Sequence, residues 1–552
     1  MKYVIGIDFG TLSARGVLVG CEGGAEVAVA DSVYRHGVMD RALPDGSILP
    51  PDFALQHPLD YVEALCEVIS KLISLSGVLA ADIVGIGIDF TSSTILPLGA
   101  DMKPLCTDEK FSAQPHSYVK LWKHHGAQVE ADMITEIAGE RGEPWLSLYG
   151  GKVSCEWALP KILETARCAP EVYSAAHRFI EAGDYISLVL TGKETRSVSF
   201  AGYKMHWNSE SGYPCNEFLR ALDPSLDGFV GKKCPTEVLG MNRYAGVVSR
   251  EGAMLSGLCE GTAVALPLID AHAPMAALNM TRAGDMIMAL GTSGCYILNS
   301  KVGHGIVGVA GCVLDAVIPG LYTYEAGQCS VGDTLDWFIK NSVPKRYFDE
   351  ADERGMGIHN LLSEKAERLL PGESGLLSLD WFNGNRSILT DFDLSGVILG
   401  LNLKTSPEEI YRALIEGIVF GTKVIVEQYE SHGVPVERIL ATGGIAQKNS
   451  MMMQIYADVL DREITVKCGE EIGARGSAIY AAVAAGAYPD VAVAAGVFDS
   501  LEPRTYKPNE RNAAIYRELY SLYLELHDGF GKDGGLMHSL KKLKNIKTDK
   551  EI

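Results

Sequence analysis

GIDFGTLSARG, residues Gly6–Gly16, follows Met1-Lys2-Tyr3-Val4-Ile5. It closes a strand, Tyr3–Asp8, on an acid. It then turns at once through Gly10, Thr11 and Ser13 into a second strand over Gly16–Val19. Taken alone, Asp8 is either a solvated acid at a strand edge or a site residue. The same design returns in DMIMALGTSGCYILN, Asp285–Asn299: an apolar strand, a Gly291-Thr292-Ser293 turn and a returning strand. Any hairpin needs such a turn. Two halves that each open with it point to a duplicated domain.

Working outward, Pro58–Gly77 carries apolar residues at helical spacing, begins at a proline and stops at a glycine. Asp82–Asp89 reads as a buried strand that again ends in an acid, followed by Phe90-Thr91-Ser92. Strand, helix, strand in that order is an α/β arrangement. In the second half, Ala265–Asp270 reads as a strand ending in Asp270. Ser406-Pro407-Glu408-Glu409 is a capping box with proline at the first helical position, and its helix ends near Gly433. Arg438–Gly444 is a strand running into paired glycines. It is followed by a helix over Asn449–Leu460, a strand over Arg462–Val466 and a helix over Gly473–Gly486. The last ~20 residues, ending in KKLKNIKTDKEI (Lys541–Ile552), are charged and apolar-poor and read as a frayed tail.

A chain of 552 residues is too long for one core and implies two or three domains. Lys plus Arg is 49 against 70 Asp plus Glu, a net charge of −21, which repels nucleic acid and an anionic bilayer surface overall. The 12 cysteines are scattered with no CxxC pair, so a disulfide framework or a zinc site is not expected. No secretory leader is evident, and the apolar stretch near Ala481–Val497 is broken by Pro489 and Asp490. A soluble cytoplasmic protein is expected, with neither nucleic acid nor membrane as partner; a homodimer is left open.

Three glycine turns, Gly6–Ser13, Gly291–Ser293 and Gly443-Gly444, stand at strand ends, where open α/β sheets gather ligands. Backbone N–H groups in such turns cradle phosphate, and Thr11, Ser13, Thr292 and Ser293 add hydroxyl donors. No GxxxxGK[ST] loop occurs, and Gly6–Gly16 contains no GxGxxG. What remains is a two-domain kinase in which one hairpin from each domain grips the phosphates. Asp8 then fits an acid that positions a hydrated magnesium.

The residues now become specific. GIDFGT (Gly6–Thr11), DFTSST (Asp89–Thr94), ALPLIDAH (Ala265–His272), MALGTS (Met288–Ser293), the run Ser395–Gly417 and GGIAQKNSMMMQIYAD (Gly443–Asp458) resemble the FGGY carbohydrate kinases over nearly the whole chain, in family order. The resemblance implies an α/β, two-domain actin-like ATPase, a duplicated ribonuclease-H-like fold with an interdomain catalytic cleft. It implies a first domain over 1–264 carrying the sugar site and the first phosphate hairpin. A nucleotide domain over 265–505 and a helical segment with a charged tail over 506–552 follow. YRHGVMD (Tyr34–Asp40), AGYKMHW (Ala201–Trp207) and YEAGQ (Tyr324–Gln328) are similar to the family's L-ribulose-phosphorylating branch. The implied activity is ATP-dependent phosphorylation of L-ribulose at its 5-hydroxyl, the entry to L-arabinose breakdown, with ATP and Mg²⁺. The alternatives are another FGGY kinase acting on xylulose, glycerol or a related substrate, and a non-catalytic nucleotide-binding member of the fold.

The same resemblance assigns roles. Asp270 is the general base; its other reading is a helix cap. Lys204 and Glu325, with Asp270 and a main-chain contact at Ser92, hold the ketopentose. Lys204 otherwise reads as a surface amine, but Tyr203, Met205, His206 and Trp207 are a poor exposed setting. Where the branch often carries alanine, this chain has Ser92, which puts its sugar preference in question. Gly10, Thr11, Ser13, Gly291, Thr292 and Ser293 hold phosphate. Gly443, Gly444, Asn449 and Gln454 form the adenine side; Asn449 also reads as an N-cap. Asp8 reaches Mg²⁺ through water. His116, His124 and His125 lack a complete ligand set and read as fixing a loop.

Overall fold

GIDF occurs twice, at Gly6–Phe9 and Gly87–Phe90. In the computed structural model, which describes residues 1–532 and 535–548, the two copies lie side by side. The strands Tyr3–Phe9 and Ile83–Phe90 run parallel, with Gly6 opposite Gly87, Asp8 opposite Asp89 and Phe9 opposite Phe90. The Phe9 and Phe90 rings stack at 4.9 Å. Both strands are apolar almost throughout because the sheet is covered on both faces.

One cover is the helix Ile472–Ala484, which the glycines admit. A Cβ on Gly6 would lie 1.8 Å from the Ala474 carbonyl oxygen, and one on Gly87 2.0 Å from that of Ser477. The helix backbone therefore rests on the sheet where side chains would hold it off. Gly87→Ala should cost about 1–3 kcal/mol or more, because the obstruction is backbone that cannot rotate away. The urea midpoint measures this; an unchanged midpoint would mean that the helix is not seated there.

The two halves share a plan. In the first sheet Tyr3–Phe9 pairs antiparallel with Ser13–Gly20, which pairs antiparallel with Glu26–Val33. On its other side lie the parallel strands Ile83–Phe90 and Ala263–Ala265, then antiparallel Tyr244–Val247. In the second sheet Asp285–Leu290 pairs antiparallel with Gly294–Ser300, and that with Tyr322–Gln328. Parallel Arg438–Thr442 and Ile464–Val466 follow, then antiparallel Arg504–Tyr506. Each sheet has seven strands, and each opening hairpin holds the same central place, as the duplicated turns imply. Between Phe90 and Tyr244 the chain builds a largely helical lobe with its own core, including Trp145, Trp157 and Phe218.

The helix Pro407–Ser431 starts at the Ser406 capping box and leaves through His432 and Gly433. The helix Ile472–Ala484 and its successor Val491–Phe498 come from the second half of the chain yet pack into the core of the first sheet. Two expectations change. Ala265–Asp270 is not one strand: Pro267 lacks the N–H a ladder needs, and the pairing splits into Ala263–Ala265 and Leu268–Ile269. The charged end is not frayed through Thr548: Gly535–Thr548 is a helix. Met537 is buried, His538 Nε2 lies 2.7 Å from Asp391 and Lys541 Nζ 2.7 Å from Asp393. One apolar anchor, one histidine–carboxylate contact and one lysine–carboxylate ion pair hold what composition alone reads as solvated. Residues 549–552 lie outside the described ones. No described helix is long and apolar enough to cross a membrane.

Candidate active site

Three acids stand at the carboxyl ends of neighbouring parallel strands. Asp8 and Asp89 face each other in register. Asp270 follows Leu268–Ile269, which pairs with Asp89 and Phe90, and the Asp270 N–H donates to the Phe90 carbonyl at 3.0 Å. Asp8 and Asp89 point toward Gly473 in the first turn of the covering helix. A Cβ there would lie 3.0 Å from Asp8 Oδ2 and 3.4 Å from Asp89 Oδ1. Ser477 Oγ donates to Asp89 Oδ2 at 2.6 Å, while Asp89 Oδ1 is buried with no partner.

Crowding acids in little water raises their pKa values. Burial, then Asp8, pushes Asp89 well above the carboxylate range. Asp8 is raised by burial, against the pull of Asp89 and Arg15. Asp270 is pushed up to about 7 by burial first and then by the charge of Asp8, although the Ala271 N–H donates to its Oδ1 at 2.7 Å. A carboxylate of this kind is poised to accept a proton near neutral pH.

Close enough for its charge to act on Asp270, Glu325 sits on Tyr322–Gln328. Its Oε2 lies 3.4 Å from Lys204 Nζ and 3.4 Å from His272 Nε2. Lys204 ends the helix Val198–Lys204 and is buried, not solvated. Burial opposes ionisation of Glu325, but Lys204, His272 and Arg386 outweigh it and hold the carboxyl below its usual range. Glu325 is therefore ionised at neutral pH, while Asp270 is pushed up toward that range by burial and by Asp8.

The turn at Ser92 is pinned from behind. Lys161 Nζ donates to the Ser93 carbonyl at 2.8 Å, and Glu181 Oε2 accepts the Thr94 N–H at 2.9 Å. Ser93 has a φ of 55°, a conformation these anchors hold in place. Gly10 closes the first hairpin through its N–H to the Ser13 carbonyl at 3.0 Å. The Thr11 hydroxyl, expected to face phosphate, accepts from Trp122 Nε1 at 3.1 Å. In the second hairpin Gly291 and Thr292 are exposed, and the Gly291 N–H donates to the Ser293 carbonyl at 3.0 Å.

Gly443, at φ 94°, passes so close to the second hairpin that a Cβ would lie 2.5 Å from the Leu290 carbonyl oxygen. This brings Gly443-Gly444 beside Gly291–Ser293. Asn449 caps Ser450–Leu460 through Oδ1, accepting from the Met452 N–H at 2.9 Å. Gln454 does not share that setting: its amide donates to Asp458 Oδ1 and the Lys507 carbonyl, both at 2.8 Å. It ties its helix to the segment leading into Glu510–Gly531. Met451, Met452 and Met453 are core residues. His124 and His125 pair with Glu164 and Glu156 at 2.9 and 3.1 Å and fix the loop that carries them.

Sequence reasoning missed Asp89, His272 and Ser477 as site residues. The signal for Asp89 was present as the second GIDF, whose acid must lie beside Asp8 if the copies pair in register. His272 and Ser477 carry no local pattern that separates them from ordinary core residues.

A duplicated α/β fold, glycine hairpins in both halves and a half-buried acid with a raised pKa at a strand end are the features of an actin-like kinase. The N-terminal domain of the FGGY family of carbohydrate kinases matches residues 3–277 and its C-terminal domain residues 286–485. The protein belongs to the FGGY family of carbohydrate kinases. Among its relatives are the ribulokinase of Bacillus licheniformis, 46% identical over 97% of this chain and 98% of that protein, and the ribulokinase of Halalkalibacterium halodurans, 46% identical over 99% and 98%. The fold is shared with the xylulose kinase of Rhodospirillum rubrum, with a TM-score of 0.80 at 23% identity over 97% of this chain and 100% of that one. It is also shared with the ADP-bound glycerol kinase of Plasmodium falciparum, with a TM-score of 0.74 at 16% identity over 95% and 98%.

Proposed function

We propose that the protein transfers the γ-phosphoryl group of ATP to the 5-hydroxyl of L-ribulose, giving L-ribulose 5-phosphate and ADP. The observation that carries this reading is Asp270, a half-buried acid pushed up to about 7 and set between the Asp8–Asp89 pair and the Lys204–Glu325 pair. Similarity to ribulokinases, 46% identical over nearly the full length, supports the choice of sugar over xylulose or glycerol.

In this reading the sugar lies against Lys204, Glu325 and the Ser92 turn. Its 5-oxygen attacks the γ-phosphorus as its proton passes to Asp270. The new O5–P bond forms while the bond from phosphorus to the β,γ-bridging oxygen breaks, and ADP leaves with that electron pair. The phosphates lie along Gly10, Thr11, Ser13 and Gly291–Ser293, and the adenosine beside Gly443, Gly444 and Asn449.

Asp8 and Asp89 suit a divalent cation: both are oxygen donors, and Asp89 Oδ1 is buried without a partner. Mg²⁺ bound there, through water at Asp8, would offset the charge of the β- and γ-phosphates. A cytoplasmic reaction belongs to this reading; ATP as the phosphoryl donor and 12 free cysteines support it.

The test is ADP release from purified protein with ATP, Mg²⁺ and a panel of L-ribulose, D-ribulose, L- and D-xylulose and glycerol. L-ribulose should be the preferred acceptor; glycerol as sole acceptor would overturn the assignment. Lys204→Ala and Glu325→Ala should each weaken sugar binding by about 1–3 kcal/mol, because each leaves a buried polar group unpaired. Nucleotide affinity should hold. Calorimetric titration of both ligands checks this, and equal weakening of the two would mean general damage to the fold.

A further inference from the structure

The phosphotransfer reading leaves one half-buried cation, Arg386, unused. Arg386 lies in the irregular segment between Trp381 and Asp391. Asn385 and Asp391 exchange backbone hydrogen bonds at 2.8 Å, and Asn385 Oδ1 accepts the Leu389 N–H at 3.0 Å. Lys152 of the sugar-side lobe donates to the Thr390 carbonyl at 2.6 Å, and His538 of the terminal helix holds Asp391 at 2.7 Å. The segment is thus fixed from three directions.

This scaffold lays the Arg386 side chain across Gly327. A Cβ at Gly327 would lie 3.3 Å from Arg386 Cδ and 3.4 Å from Nη1, so glycine leaves the space the arginine occupies. Gly327 follows Glu325 by two residues and therefore shares its face of the strand. Its cross-strand partner is Cys295, two residues beyond Ser293. The arginine consequently sits between the sugar-side acid Glu325 and the Gly291–Ser293 turn.

Among the described residues no hydrogen bond or ion pair engages the guanidinium. Its neighbouring charges are Glu156 and Glu325, with Cys329 and Cys295 alongside. The guanidinium is half-buried, so its five N–H donors can turn from solvent to an arriving ligand. An anion arriving between the sugar and the phosphate turn would supply their acceptors. The guanidinium fork matches phosphoryl oxygens better than a lone sugar hydroxyl.

Resting on the phosphotransfer reading, we infer that Arg386 is a catalytic residue that donates hydrogen bonds to the equatorial oxygens of the phosphoryl group during its passage from ADP to the sugar. In flight the group flattens and its charge is spread over these three oxygens, so a preorganised cation placed for that geometry stabilises the transition state more than the ground state. Lys204 and Glu325 orient the acceptor, Asp270 takes its proton, and Arg386 holds the group in flight.

The experiment uses the full chain with Arg386→Gln and Arg386→Lys. In Arg386→Gln, kcat should fall about 10²-fold, as when one such donor is removed elsewhere. The KM for L-ribulose and the affinity for ADP should stay within about three-fold, the pattern of an interaction made only in the transition state. Affinity for ADP with aluminium fluoride and sugar, a mimic of the transferring group, should fall about 10²-fold, matching the loss in kcat. Arg386→Lys keeps the charge without the fork and should fall between the two. Added guanidinium should restore part of the turnover of Arg386→Ala.

A kcat and mimic affinity within about three-fold of wild type in Arg386→Gln would overturn the inference. So would a raised sugar KM at unchanged kcat, which would make Arg386 a sugar ligand. If Arg386→Gln fails to fold, a wild-type kcat in a folded Arg386→Lys together with no guanidinium rescue of Arg386→Ala overturns it equally. The wild-type control separates the two claims. If wild type does not phosphorylate L-ribulose but does phosphorylate another sugar of the panel, the substrate reading has failed, and the variants are compared on that sugar.

Discussion

Asp270→Asn should lower turnover about 10²–10⁴-fold, the usual contribution of a general base. The substitution keeps the shape of the side chain and its acceptor toward the Ala271 N–H, so fold and ATP binding should be little changed. The wild-type pH profile tests the same assignment independently. A base works in its deprotonated form, and Asp270 is held at about 7 by burial and then by Asp8. Turnover should therefore rise with pH up to about 7 and level off above it; below, each unit of pH should cost about ten-fold. Removing the Asp8 charge should move this limb to lower pH, because Asp8 is the second cause of the shift. Turnover of Asp270→Asn within about three-fold of wild type would remove Asp270 from the role.

The second large effect belongs to Asp8. Asp8→Ala should leave L-ribulose affinity near wild type and lower turnover about 10²–10³-fold at ordinary Mg²⁺, the size of effect seen when a group facing developing charge is lost. Asp8 and Asp89 are adjacent acids at the end of a parallel pair, and leaving them together is unfavourable unless a cation or a proton relieves them. Excess Mg²⁺ should recover part of the loss, as expected if the variant binds the ion more weakly. Asp89→Asn should behave similarly if both carboxylates face the ion. A fully active Asp8→Ala would reduce the opening GIDFGT to a hairpin turn and nothing more. Neither substitution touches the Lys204–Glu325 pair, so sugar titrations serve as an internal control.

What the amino-acid sequence determined by itself was whatever is written locally. The two glycine hairpins, the Ser406 capping box, the helix between Pro58 and Gly77 and the acids at strand ends follow from turn chemistry and apolar spacing within a few residues. Asp8, Asp270 and the glycine turns were legible because a strand end and its turn are one continuous segment. The Lys204–Glu325 contact was implied only through family resemblance, since the pair joins a helix of one half to a strand of the other. The tertiary structure alone decided what depends on packing between distant segments. The register of two GIDF strands put Asp89 beside Asp8. The carbonyls of Ala474 and Ser477 came to rest on Gly6 and Gly87, seating a helix of the second half on the first sheet. Gln454 turned its amide to Lys507, and the charged terminal helix found Asp391 and Asp393. Arg386 reached Gly327 from an irregular segment with no periodicity to read. In each case the deciding quantity is a three-dimensional fit between surfaces, which neither residue pattern specifies until both are in place.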